Sequence, residues 1–139
     1  MADETPSGPD MRDLMATIGE VLLLWGFLET AMRERLAVLG NRDAGHSKMA
    51  LLVRWQHEEQ SAAPGDLHFQ QLVEDIIAAA AVRNSLAHGL SSASADPRES
   101  EEPRVVCRDR DGIAITYSLS ALEKAKRQIH DVRIRVQNR

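Results

Sequence analysis

At 139 residues the chain is long enough for one hydrophobic core and too short for two. Its formal net charge of −4 argues against a general nucleic-acid binder, whose affinity comes from Lys and Arg displacing counterions. The single cysteine, Cys107, excludes an internal disulfide framework and a cysteine-based zinc site, so a reducing, cytoplasmic setting is expected.

Residues 1–10 are acidic and rich in Pro and Gly, unlike a signal peptide, and predict a disordered leader ahead of a single domain over 11–136. From Met11 to Leu39, apolar residues recur in steps of three and four (Leu14, Ile18, Val21, Trp25, Leu28, Met32, Leu36), which predicts one long amphipathic helix. The longest unbroken apolar run, Val21 to Leu28, is far shorter than the roughly 20 residues a bilayer span needs, so no membrane association is expected. Gly40-Asn41 stops the helix, and a polar connection leads to a second helix over about 47–60.

Pro64-Gly65 breaks the pattern, and Asp66 is placed to cap a third helix with Leu72, Ile76, Ala79, Arg83 and Ala87 along its inward side. The Ser- and Glu-rich stretch 91–103 predicts a mobile loop. Two β-branched runs, Val105 to Arg108 and Ile113 to Tyr117, flank Asp111-Gly112 and predict a β-hairpin. Ser120-Ala-Leu-Glu123 reads as a capping box that opens a final helix with Leu122, Ala125, Ile129, Val132 and Val136 inward. That helix is basic, through Lys124, Lys126, Arg127, Arg133, Arg135 and Arg139, and offers a candidate face for RNA or an acidic partner.

The segment Arg83-Asn84-Ser85-Leu86-Ala87-His88-Gly89 pairs a permanent cation that can hold a phosphate with a side chain that can move a proton near neutral pH. Within one ideal helix, five residues turn the chain by about 500°, which leaves Arg83 and His88 about 140° apart. Two arrangements could bring them together: a helix end near Ala87 with Gly89 in the left-handed conformation, or two copies of the motif meeting across a two-fold axis. The sequence His57-Glu58-Glu59 begins like a zinc-protease motif, but position 61 is Ser and the second ligand is missing. No metal or cofactor is expected, and Ser85 has no base or elbow glycines around it.

Arg83-Asn-Ser-Leu-Ala-His88, following an amphipathic helix, resembles the R-x-x-x-x-H motif of the HEPN superfamily. Trp25-Gly-Phe-Leu-Glu29 on the first helix is similar to a signature of some HEPN-like groups. The resemblance implies a mainly α fold, a bundle of four principal helices with a β-hairpin before the last. It also implies a homodimer in which Arg83 and His88 line a cleft and cleave RNA without metal, with Asn84 orienting the phosphate or His88 and Glu29 as candidate support. An antitoxin, such as a nucleotidyltransferase, is an implied partner in a toxin-antitoxin or defence setting. Other members of the superfamily are non-catalytic modules that bind a partner protein or nucleotide, which is the alternative expectation.

Overall fold

A computed structural model describes residues 8–40, 50–95 and 101–139. The connection expected after Gly40, most of the leader and the middle of the 91–103 stretch lie outside the described residues. The architecture is mainly helical, with four helices and a small antiparallel sheet: α1 (Met11–Val38), α2 (Leu51–Ala62), α3 (Leu67–His88), β1 (Leu90–Ser94), β2 (Arg104–Arg108), β3 (Ala114–Ser118) and α4 (Leu119–Gln137). The chain divides into two compact units, Met1–Leu22 with Ala81–Lys126 and Leu23–Ala80 with Arg127–Arg139.

In the first unit, α1 begins at a reciprocal cap. The Asp13 N–H donates to Asp10 Oδ1, and the Asp10 N–H donates to Asp13 Oδ2. The first of these bonds holds the Asp10 carboxyl below its ordinary value, because the N–H favours the ionised form. Asp10 therefore belongs functionally to the helix rather than to the leader. Leu14, Val21, Leu86, Val105, Cys107, Leu119, Leu122 and Ala125 are buried here. Val105 and Cys107 are alternate residues of β2, as a strand with one inward face requires.

The predicted hairpin is present as β2 and β3, paired from Arg104↔Ser118 to Arg108↔Ala114. The sheet has a third strand, however, in the order β1-β2-β3. β1 occupies Leu90–Ser94, where the sequence predicts the start of a loop. Its side chains are all exposed, so no apolar alternation announces it, and it is held by backbone pairing to β2 with a bulge between Leu90 and Ser92. β3 runs directly into α4, and the cap is Ser118, whose Oγ accepts the Ala121 N–H. Ser120, the predicted cap, instead donates to Glu102 Oε2 at 2.6 Å. Glu123, the predicted other half of the box, accepts from the buried Thr17 hydroxyl and pairs with Lys126.

In the second unit, Trp55 lies against Phe69 at 5.1 Å between centroids, with Leu28, Met32, Leu36, Leu72, Ile76, Ile129, Val132 and Val136 buried. Both tryptophans are buried, and all five residues predicted inward on α4 are as well. Asp66 caps α3 as predicted, its Oδ1 accepting the Phe69 N–H. Glu59, 1% exposed, is held between Arg35 and Arg139, with Arg139 Nε at 2.6 Å and its guanidinium 4.6 Å from the Phe69 ring centre. α1 is longer as a continuous apolar element than the Val21–Leu28 run implies. Its most apolar 18-residue window has a mean hydropathy of 1.4, so by length and composition alone it could cross a bilayer, and 33% of that window is buried inside the protein.

Candidate functional site

The inward stripe of α3 runs Phe69, Leu72, Ile76, Ala79, Arg83 and Leu86, in steps of three and four. All are buried except Arg83, which is half-buried, while Asn84, Ala87 and His88 are exposed. Ala87 was expected inward, and Leu86 takes that place because α3 keeps its helical period to the end. The helix includes His88, and the glycines with positive φ among the described residues are Gly40, Gly65 and Gly112, not Gly89. The left-handed terminator that would have turned His88 toward Arg83 is therefore not formed. The two residues point from different faces of one helix.

Gly89 has another reason to be glycine. A Cβ there would collide with the Arg108 carbonyl oxygen, and the Gly89 carbonyl accepts the Arg108 N–H at 2.8 Å. The end of α3 and the end of β2 thus touch backbone to backbone, a distance only glycine permits. Tyr117 of β3 adds a second tie by donating its hydroxyl to Ser85 Oγ at 3.2 Å. The Ser85 hydroxyl itself donates to the Ala81 carbonyl.

These ties set the β2–β3 turn beside the motif and create a pocket of about 510 Å³ lined by Asn84, Ser85, His88, Gly89, Arg108, Asp109 and Arg110. The turn is held by its own bonds. Asp109 Oδ1 accepts the N–H groups of Asp111 and Ile113, both at 2.9 Å, and the Arg108 guanidinium donates to the Gly112 carbonyl. Gly112 takes φ +78, the left-handed position for which the Asp-Gly signal stands. Arg108 and Arg110 line the pocket, although neither stands out in the sequence.

Arg83 does not line the pocket, but its Nη1 donates to Asn84 Oδ1 at 3.0 Å. Because a guanidinium only donates, this bond also fixes the amide orientation and leaves the Asn84 NH₂ as the donor for a ligand. Glu29 is half-buried on α1 and belongs to the other compact unit. Cys107 is buried, and burial pushes its thiol above the ordinary range, as suits a small core residue rather than a nucleophile. Compared with protein-family models, curated proteins and solved structures, the chain matches none.

Proposed function

We propose that the protein is a metal-independent endoribonuclease of HEPN type that works as a cytoplasmic homodimer, in a toxin-antitoxin or defence setting. The observation that carries this reading is the pocket itself, where His88 and Asn84 of the motif meet two arginines in one concavity. In the proposed reaction the ribose 2′-hydroxyl attacks the adjacent phosphorus, displacing the 5′-oxygen of the next nucleotide and leaving a cyclic phosphate. His88 moves the proton, and guanidinium charge from Arg83 stabilises the phosphoryl oxygens. Asn84 connects the two roles, since it is bonded to Arg83 and lines the pocket with His88.

Because Arg83 and His88 leave one helix in different directions, the scheme needs a second copy of the chain to supply the complementary group. The exposed Met15, Leu22, Leu23 and Phe27 of α1 provide apolar surface for such association. In the presence of EDTA, His88→Ala and Arg83→Ala should each slow RNA cleavage by about 100-fold or more. Mixing the two inactive variants should restore part of the activity if the halves of a site come from different protomers. Wild-type protein that leaves RNA intact, or variants that cleave like wild type, overturn the reading. The second reading is a non-catalytic module, favoured by the one fact that Arg83 stands outside the pocket with its guanidinium on Asn84.

A further inference from the structure

We propose that the pocket between the end of α3 and the β2–β3 turn is a phosphodiester site in which Arg108 and Arg110 hold the backbone of single-stranded RNA, with an affinity separable from cleavage. The choice of RNA as ligand rests on the ribonuclease reading, whereas the site itself rests on charge and geometry.

Neither arginine of the lining forms an ion pair among the described residues. Arg108 makes one side-chain bond, to the Gly112 carbonyl, while Arg110 and His88 have no hydrogen bond or ion pair among the described residues. The one acid in the lining, Asp109, is directed to the turn, where its Oδ1 accepts two N–H groups, and it pairs with neither arginine. A guanidinium without a carboxylate partner at the rim of a concavity is suited to a phosphate, which it can meet with two parallel N–H donors. The site is also preorganised. The turn carries its own ladder of bonds and is seated on α3 through Gly89 and Tyr117, so little ordering cost remains when a ligand arrives.

Shape and lining narrow the ligand. A pocket of about 510 Å³ admits a single extruded nucleotide rather than the face of a duplex. No Phe, Tyr or Trp is among the described residues that line it, so recognition falls mainly on phosphate and ribose. The Asn84 NH₂ and the His88 ring stand in the same pocket, which places a phosphate held by the arginines beside the motif. Binding should therefore tolerate most base sequences.

The test uses the full chain and a fluorescein-labelled, mixed-sequence 2′-O-methyl oligoribonucleotide, which lacks the attacking hydroxyl and cannot be cleaved by the proposed reaction. In anisotropy titrations, Arg110→Ala should weaken binding by about three- to tenfold and reduce the salt slope by about 0.7, the value for one lost phosphate contact on a single strand. Arg110 is exposed and bonded to nothing among the described residues, so the variant should melt like wild type. Arg108→Ala should add a comparable loss, and Lys126→Ala on α4, whose ammonium is already paired with Glu20 and Glu123, should change neither affinity nor slope. An unchanged slope in Arg110→Ala, no binding by wild type, or equally tight binding of adenosine monophosphate overturns the proposal. Parallel assays on unmodified RNA separate the two readings. Arg110-dependent binding without cleavage sinks the ribonuclease and keeps the site, whereas cleavage indifferent to Arg110 does the reverse.

Discussion

Two regions of this chain are rich in cations, and they use them in opposite ways. α4 and the residues just after it carry the more conspicuous set, yet much of its charge is absorbed inside the fold. Lys126 pairs with Glu123 and Glu20, Arg135 with Asp75 and Asp131, Arg139 with Glu59 and Asp66, and Arg133 lies over the Phe27 ring at 5.5 Å. The β2–β3 turn carries only Arg108 and Arg110 near the pocket, and neither meets a carboxylate among the described residues. A count of basic residues thus overstates the charge that α4 has left for a ligand, which falls to the exposed Lys124 and Arg127. What matters for binding an anion is charge left over after the fold has made its own pairs.

The contrast predicts that changes around α4 register as stability and changes at the turn register as binding. The largest stability effect should come from Glu59→Ala, which strands the Arg35 and Arg139 guanidinium groups around a buried position and should cost about 3–5 kcal/mol in urea unfolding. A loss below about 1 kcal/mol would mean that the Arg35–Glu59–Arg139 cluster is solvated after all. Gly89→Ala tests the seat of the turn. Forcing the helix end away from Arg108 should cost about 1–3 kcal/mol and also weaken oligonucleotide binding, and a normal affinity would detach the pocket from this contact.

Asp109→Ala removes two acceptor bonds from the turn. It should cost about 1 kcal/mol and loosen binding even though an acid next to the phosphate has gone. Tighter binding would show that charge outweighs preorganisation at this turn. Lys126→Ala should change stability by about 0.5 kcal/mol or less, because its pairs are partly exposed, and should leave RNA affinity alone.

The smallest effect is one of pH. The Phe69 N–H, and after it Arg139, hold the Asp66 carboxyl below its ordinary value, and Arg135 does the same for Asp75. Stabilisation from such depressed groups is complete above the unfolded value of about 4 and is lost as pH falls through the lower folded values. Thermal melts across that range should show Asp66→Asn with a shallower acid dependence than wild type. An equal dependence would remove Asp66 from the acid response.

Much of the fold was legible because its elements are governed by local rules. The period of α1 and α4, the Asp66 cap and the Asp-Gly turn each follow from neighbouring residues. β1 was not legible, since a Ser-rich strand with every side chain exposed takes its structure from the partner it pairs with. The α4 cap was misread by two residues because β3 enters the helix without a connecting loop. Of the residues that line the pocket, Asn84 and His88 belong to the motif, whereas nothing in the sequence singles out Arg108 and Arg110. Their importance depends on which carboxylates are elsewhere, and on a backbone contact at Gly89 that looks in sequence like an ordinary helix stop.

The burial of Cys107, one residue before Arg108 in β2, provides a built-in clock for this region. It is the only thiol in the chain and is 1% exposed, so a reagent such as a disulfide dye can reach it only when the sheet opens. The rate of labelling therefore measures how often the strand leaves its place, and an oligonucleotide gripped by the adjacent arginines should slow that rate in proportion to its occupancy.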